Sequence, residues 1–164
     1  MESVDLDEIT RLIVASLGGV VVVTASQENG APEVSWGDLF FFYDPDGRGE
    51  EARKFPFATI VTHDYGDFDS MSRLNREGVF RLNVDVGPET FDAHFPPGAS
   101  VVDHAQLDTV IPHPVYADYH WISVLNPSRG IFESVMPLLA TAHARHAQRY
   151  RRARTHRADS GPAK

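Results

Sequence analysis

The chain has no cysteine and no long apolar run. The lack of cysteine excludes disulfide bonds, a thiol nucleophile, iron–sulfur ligation and a cysteine-based zinc site. The apolar run that ends at Val23 is far shorter than the roughly 20 residues that a membrane-spanning helix needs. The first residues are acidic, whereas a secretory signal begins with a basic segment. The sequence therefore predicts a cytoplasmic protein without a membrane partner.

Several signatures of chemistry are also missing. No glycine-rich loop precedes a predicted helix to cradle phosphates, and neither Gly-x-Ser-x-Gly nor His-Glu-x-x-His occurs. These absences argue against dinucleotide-binding proteins, P-loop proteins, serine hydrolases and zinc proteases. His143 and His146 could meet on the predicted last helix, but no third ligand is near them. We therefore expect no cofactor and no metal ion.

Charge is distributed unevenly along the chain. The net charge is −8, and the segment from Arg145 onward has seven basic residues against one acidic residue, or +6, which leaves −14 on residues 1–144. Because an acidic body repels phosphate backbones, nucleic acid could bind only through the C-terminal segment. The alternative is that these arginines keep a helix end solvated and complement the helix dipole.

The length and the periodicity predict one α+β domain. The chain has 164 residues, 42% of them apolar, which is enough for one core. Apolar residues at helical spacing follow Asp5 and predict an N-terminal helix that Asp5 caps. A last helix is predicted to run to about Arg154. It contains Pro137, which predicts either a kink or a regular helix that begins only near Met136. Residues 99–119 have no clear pattern. Five strands are predicted, at residues 20–24, 36–43, 57–63, 79–86 and 120–125.

Most links between the predicted strands are too short for crossovers, so the sheet should be largely antiparallel. The predicted architecture is a five-stranded sheet that an N-terminal helix and a long C-terminal helix cover on one face. We expect residues 1–157 to form the single domain and residues 158–164 to form a disordered tail.

The predicted second and fourth strands carry the polar residues that could form a site. Alternation places Arg81, Asn83 and Asp85 together on one face of the fourth strand. Asp38 lies among aromatic residues, and a partly buried carboxylate needs a partner or its pKa rises. Arg81 is the candidate partner if the two strands are neighbours. The pair is either structural or the polar floor of a pocket walled by Trp36 and phenylalanines.

Histidines could add proton transfer to such a pocket. His63 ends a predicted strand beside an acid, where a near-neutral pKa suits a general base, although it could be a solvated loop residue. His113 lies between two prolines that stiffen its loop, and His120 begins the last strand. In the pocket interpretation Trp36 stacks on the ligand. The candidate catalytic residues are Asp38, His63 and His120, and the candidate ligand-binding residues are Trp36, Arg81, Asn83, His113 and Tyr116.

Blocks spread along the chain resemble an uncharacterised bacterial domain-of-unknown-function family over about residues 5–150. The matching blocks are 31–38 (APEVSWGD), 40–47 (FFFYDPDG), 56–62 (PFATIVT), 78–84 (GVFRLNV), 113–116 (HPVY) and 121–127 (WISVLNP). This resemblance implies no activity. More distantly, His120, Trp121 and a helix with Leu138 and Leu139 are similar to the MmcQ/YjbR-like proteins, which implies an α+β fold with an antiparallel sheet and a suggested role in DNA binding.

The leading hypothesis is therefore a small-molecule-binding domain or accessory enzyme with a polar and aromatic pocket on or beside the sheet. One alternative is a nucleic-acid-associated regulatory protein that uses the arginine-rich C-terminal helix. The other is a protein-interaction module, which an apolar patch buried in an oligomer would favour.

Overall fold

The computed structural model describes residues 2–98 and 101–159, with side chains described as far as Ala153. The helices are α1 (Leu6–Ser16), α2 (Pro88–His94) and α3 (Arg129–Asp159). The strands are β1 (Val20–Thr24), β2 (Leu39–Tyr43), β3 (Ala58–Val61), β4 (Arg81–Asp85), β5 (Val110–Pro112) and β6 (Trp121–Leu125). These elements confirm the predicted α+β class.

The strands of the described residues form one sheet in the order β1-β2-β3-β4-β6-β5, and every neighbouring pair is antiparallel. The first four strands are consecutive neighbours, as expected for links too short to cross the sheet. In this register Arg81 of β4 lies opposite Val61 of β3 and Leu125 of β6. Strand β4 is thus central, which buries both of its faces.

The core lies between one face of the sheet and the helices α1 and α3. Asp5 caps α1, because its side chain accepts a hydrogen bond from an amide of the first helical turn at 2.7 Å. Ile9 and Ile13, one helical turn apart, are completely buried. The core partners from α3 and the strands include Phe132, Val135, Leu139, Leu82, Val84, Ile122 and Val124. The prediction that both helices cover one sheet face is confirmed.

The opposite face of the sheet is covered by loops. Arg81 on this face bonds to Asp69 and Ser72, which belong to the loop between β3 and β4. His113, from the loop between β5 and β6, is also buried over β4. Loops can leave cavities more readily than packed helices, so this face is where a site can form.

Two strand predictions need correction. Strand β5 was not predicted, because it has three residues, one of them a proline, and lies at the edge of the sheet. The second strand begins at Leu39 instead of residue 36. Gly37 has a φ of 92°, which is not a β conformation, and Glu33–Ser35 form a 3-10 turn before it.

Helix α3 contains Pro137 in its interior and does not start after it. A proline in a helix removes one backbone hydrogen bond, and packing of the apolar residues around Pro137 against the sheet offsets this loss. The helix continues to Asp159, so it includes the first two residues of the predicted tail. Residues 160–164 lie outside the described residues. Within residues 2–98 and 101–159, no helix is both long and apolar enough to cross a membrane.

Candidate ligand-binding site

A cavity of about 600 Å³ lies on the loop-covered face of the sheet. Its floor comes from the strands, with Thr59 on β3 and with Arg81 and Asn83 on β4. Arg81 and Asn83 are each only 1% exposed. Ligand-binding cavities usually enclose roughly 300–1,000 Å³ and combine apolar walls with a few buried polar groups. The size and the floor of this cavity therefore fit a small organic molecule.

Arg81 is held by a bidentate ion pair with Asp69. Nη1 donates to Oδ1 at 2.9 Å, and Nη2 donates to Oδ2 at 2.6 Å. Nη1 also donates to Ser72 Oγ at 3.0 Å, and Nε donates to Asn83 Oδ1 at 2.8 Å. Burial alone would raise the pKa of Asp69, but the hydrogen bonds and charge of Arg81 outweigh it and lower that pKa. These bonds occupy every N–H of the guanidinium except one on Nη2.

His113 is fixed in one tautomer by the backbone that follows it. The amides of Val115 and Tyr116 donate to His113 Nδ1 at 3.0 and 2.9 Å. A ring nitrogen that accepts these bonds carries no proton, so the proton of the neutral ring is on Nε2. Burial and the nearby charge of Arg81 lower the pKa of His113 to about 3, so the ring stays neutral at physiological pH.

Two N–H donors therefore lie side by side on the cavity floor. His113 Nε2 is 3.5 Å from Arg81 Nη2, and both residues line the cavity. Neither nitrogen has a lone pair, so the two cannot bond to each other. Among the described residues no other group accepts from His113 Nε2. Buried donors without an acceptor are costly, and an oxygen atom of a ligand would satisfy both.

Asn83 orients the floor, and one of the two N–H groups on its Nδ2 has no partner among the described residues. Its Oδ1 accepts from Arg81 Nε and from Ser123 Oγ at 2.7 Å, while its Nδ2 donates to Thr59 Oγ1 at 3.0 Å. These partners fix the amide and hold the guanidinium plane of Arg81. Asn83 is thus a positioning residue for the donor pair.

Aromatic rings form most of the wall. Phe55, Phe68 and Tyr119 at the mouth are 71%, 64% and 71% exposed, which is unusual for rings so close together. The ring of His113 lies 4.9 Å from that of Tyr116 and 6.3 Å from that of Trp121. The aromatic residues that line the cavity are Phe40, Phe55, Tyr65, Phe68, Tyr116, Tyr119 and Trp121. This wall favours an aromatic or apolar ligand body.

The rim at the far end of β4 is charged. Asp85 Oδ2 accepts from His146 Nε2 at 2.8 Å, and Asp85 Oδ1 accepts from Arg145 Nη1 at 3.1 Å. Arg149, one helical turn after Arg145, is exposed and has no ion pair with the described residues. The wall thus holds three arginines against two aspartates. In a chain with a net charge of −8, the cavity is a local site of positive charge.

The predicted pairing of Asp38 with Arg81 is wrong. Strand β3 lies between β2 and β4, so residues on the two outer strands are about 10 Å apart. Arg81 pairs instead with Asp69, which a loop without any sequence periodicity brings over β4. Asp38 is completely buried and does not line the cavity.

Asp38 acts on the cavity through Tyr65. Its Oδ1 accepts from the Thr62 amide at 2.9 Å and the Thr62 hydroxyl at 3.1 Å, and its Oδ2 accepts from Tyr65 Oη. Burial raises the pKa of Asp38 despite these donors. Burial and the bond to Asp38 also raise the pKa of the Tyr65 hydroxyl. The result is a fixed Tyr65 ring in the cavity wall, with its hydroxyl already used.

His63 stacks on this cluster from outside the cavity. Its ring lies 5.8 Å from that of Tyr65 at an angle of 11°, and its Nε2 donates to the carbonyl oxygen of Val34. Its Nδ1 is 3.9 Å from Asp38 Oδ1. His63 lines a different cavity, of about 620 Å³. It therefore does not reach the donor pair.

Trp36 and His120 also lie outside the cavity. Because Trp36 precedes Gly37 and not a continuous strand, its indole is 38% exposed and donates to the Ala31 carbonyl at 2.9 Å. His120 has a left-handed backbone (φ 67°), and its ring contacts that of Phe91 on α2, with the centroids 5.6 Å apart. His120 precedes β6, and its contact with Phe91, which packs against the core, places its ring on the helix side of the sheet.

His143 and His146 do not share a partner. His143 Nε2 donates to the Gly18 carbonyl at 2.6 Å, whereas His146 Nε2 donates to Asp85. Among the side chains that the structure describes, in residues 2–98 and 101–153, no group of three or more histidine and acidic side chains is arranged to hold a metal ion.

Four of the candidates meet at the cavity, namely Arg81, Asn83, His113 and Tyr116. The sequence reasoning missed Tyr65, Asp69 and Trp121. Trp121 could have been found, because alternation places it on the same face as Ser123, which pairs with Asn83. Tyr65 and Asp69 lie in a loop, where no periodic signal exists.

Comparison with known proteins finds one family. The model of DUF6194, a family of unknown function, matches residues 4–155, which confirms the resemblance to a domain-of-unknown-function family. No curated protein and no solved structure matches the chain significantly. The more distant resemblance to the MmcQ/YjbR-like proteins stays a prediction.

Proposed function

The chain belongs to the DUF6194 family, and we propose that its cavity binds a small organic molecule through an acceptor oxygen. The observation that carries this proposal is the pair of N–H donors on Arg81 Nη2 and His113 Nε2, 3.5 Å apart on a buried floor. A carboxylate or carbonyl oxygen that lies beside the pair, about 2.9 Å from each nitrogen, would accept from both. The ligand's oxygen would thus take the place that no protein acceptor fills.

The charges of the cavity favour an anionic ligand. Asp69 neutralises the charge of Arg81, so the donor pair alone would bind a carbonyl oxygen as well as a carboxylate oxygen. Arg145 and Arg149 add positive charge at the rim, and Asp85 offsets only one of them. A carboxylate also makes stronger hydrogen bonds than a neutral carbonyl. We therefore propose an aromatic or apolar carboxylate as the ligand class.

The proposal concerns binding and assigns no reaction. The predicted catalytic residues Asp38, His63 and His120 do not line the cavity. Tyr65 lines it, but its hydroxyl donates to Asp38. The ligand role of Arg81, His113 and Tyr116 is retained from the sequence prediction, with Trp121 in place of Trp36 as the stacking ring. A cytoplasmic location stays a prediction.

The chain offers a direct fluorescence test. It has two tryptophans, so Trp36→Phe leaves Trp121 in the cavity wall as the sole indole. Benzoate, 3-phenylpropanoate and 4-hydroxybenzoate would be titrated against this variant. We expect at least one to change Trp121 emission and to bind about tenfold more tightly than its matched alcohol, because a charged hydrogen bond is lost. If none of them binds at millimolar concentration, the proposal is wrong.

His113→Asn tests the donor pair itself. The asparagine Oδ1 can take the place of Nδ1 and accept from the Val115 and Tyr116 amides, but the Nε2 donor is removed. We expect the unfolding midpoint to change little and the affinity for the bound carboxylate to fall about tenfold. His94→Asn, on an exposed face of α2, is the matched control and should bind normally. Unchanged affinity in His113→Asn would contradict the proposed donor role.

The two alternative functions stay predictions. Nucleic-acid binding would use the arginines of the C-terminal segment, and the side chains from residue 154 onward lie outside the described part of the chain. A protein-interaction module would use the exposed rings at the cavity mouth, Phe55, Phe68 and Tyr119. Binding that weakens steeply with salt would favour the first alternative. Concentration-dependent dimerisation would favour the second.

A further inference from the structure

A second cavity, of about 520 Å³, adjoins the first. It lies between α3 and the loop that contains the 3-10 turn Gly49–Glu51. The two cavities share Phe55 and Arg149 in their walls. The two cavities are therefore neighbours on either side of Phe55, whose side chain is 71% exposed. We call the second cavity the basic groove, after its cations Arg48, Lys54 and Arg149.

Positive charge dominates the basic groove. Its three cations face one carboxylate, that of Glu51. Arg48 is held in place, because its Nη2 lies 3.3 Å from Glu51 Oε2 and its guanidinium lies 5.2 Å from the centre of the Tyr150 ring. Lys54 and Arg149 are exposed and make no ion pair with the described residues. The groove therefore presents two cations whose charge is not neutralised.

This concentration of charge is local. Tyr150, in the same wall, donates to Asp46 Oδ2 at 2.8 Å, so one further carboxylate lies behind the ring. The chain outside the C-terminal segment is strongly acidic. Uncompensated cations in an acidic protein attract a small dianion more specifically than a polyanion, which the acidic body would repel.

We propose that the basic groove binds a phosphate group carried by the same ligand whose aromatic carboxylate occupies the first cavity. The inference rests on the proposed function and narrows its ligand class to aromatic acids that bear a phosphate ester at the end away from the carboxylate. Arginine offers a forked pair of donors and lysine a point charge, the two groups that proteins use most for phosphate. Arg149, which belongs to both walls, would contact the ligand where the cavities join.

The test compares probes that differ in one phosphate. In the Trp36→Phe background, 4-carboxyphenyl phosphate and the phosphate ester of 3-(4-hydroxyphenyl)propanoate would be titrated beside the corresponding phenols. The two lengths allow for the span between the floor and the groove. We expect at least one phosphate ester to bind ten times or more tightly than its phenol, an advantage of about 1.4 kcal/mol or more.

Charge variants separate the groove from the cavity. Lys54→Gln with Arg48→Gln, at two cations that line the groove but not the first cavity, should abolish the advantage of the phosphate ester and leave the affinity for the phenol unchanged. Arg11→Gln with Arg151→Gln removes the same charge at exposed positions outside both cavities and should change neither affinity. If the phenols bind but phosphate adds nothing, or if both double variants act alike, the groove proposal is wrong and the proposed function stands. If no probe binds, both are wrong.

Discussion

The ion pair between Arg81 and Asp69 gives the strongest test of the cavity floor. The substitution Asp69→Asn keeps the shape of the side chain but removes its charge, while Arg81 remains 1% exposed with its guanidinium uncompensated. Breaking a buried ion pair by removing one partner costs about 3–5 kcal/mol. The free energy of unfolding of a small domain is about 5–15 kcal/mol, so the variant should fold but lose a large part of its stability.

Urea unfolding measures this loss. With a slope of about 2 kcal/mol per molar urea, as for small domains, a cost of about 4 kcal/mol lowers the midpoint by about 2 M. The double variant Asp69→Asn with Arg81→Met has no unpaired charge, so it should be more stable than Asp69→Asn alone. A cost below about 1 kcal/mol for Asp69→Asn, or a double variant that is less stable than the single one, would refute the reasoning.

The loss of stability in Asp69→Asn should also depend on pH, and it should become smaller as the pH falls. The folded-state pKa of Asp69 is lowered below its ordinary value of 3.8, chiefly because the bonds and charge of Arg81 overcome the effect of burial. The stability that the carboxylate contributes is therefore present above the unfolded pKa and is lost as pH falls through the folded pKa. Unfolding curves at pH 7 should show the full difference between wild type and Asp69→Asn, and that difference should shrink below pH 4. A difference that does not change with pH would contradict the assigned ion pair.

Two further substitutions test neighbouring parts of the fold. Tyr65→Phe removes a donor from buried Asp38, which should cost about 1–3 kcal/mol. The folded-state pKa of Asp38 is raised, so the ionised carboxylate is the form that most needs the donor. Urea unfolding should therefore show a larger loss of stability in Tyr65→Phe at pH 7.5 than at pH 4. Equal losses at the two pH values would count against this role of Tyr65. Gly87→Ala places a methyl group 2.5 Å from Arg145 in a backbone conformation (φ +86°, ψ 169°) that essentially only glycine adopts, which should cost about 1–3 kcal/mol from the backbone alone. Gly30→Ala adds a methyl group at a φ of +76° with nothing within 4 Å and is the control without a clash, so Gly87→Ala should lose more in melting temperature.

The sequence pattern predicted the central strand and its two faces for a physical reason. Strand β4 is buried on both faces, but its apolar residues face the helices and its polar residues face the loops, where each has a partner. This alternation placed Arg81, Asn83 and Asp85 together, and all three line the cavity. His113 and Tyr116, two of the predicted ligand-binding residues, also line the cavity, and the prolines on either side of His113 restrict its loop.

The pairing between elements could not be predicted in the same way. Alternation tells which residues share a face but not which strand lies beside which, so Arg81 was paired with Asp38 across a strand that in fact separates them. The partner that the fold supplies, Asp69, comes from a loop whose path depends on the whole tertiary structure. Likewise, Gly37 adopts a φ that breaks the strand before Trp36 can join it, and a glycine alone does not reveal which φ it will take.

Helices pack against one face of the sheet and loops against the other, and this difference explains the position of the site. On the helix side, apolar side chains from α1 and α3 fill the space and need no specific partner. On the other side, each buried polar group of β4 needs a partner with defined geometry, and the loops provide Asp69, Ser72 and the backbone that fixes His113. This arrangement satisfies every N–H of Arg81 and His113 except the two that face each other. Because a donor without an acceptor destabilises a buried floor, a ligand oxygen that accepts from both nitrogens would stabilise this face of the sheet.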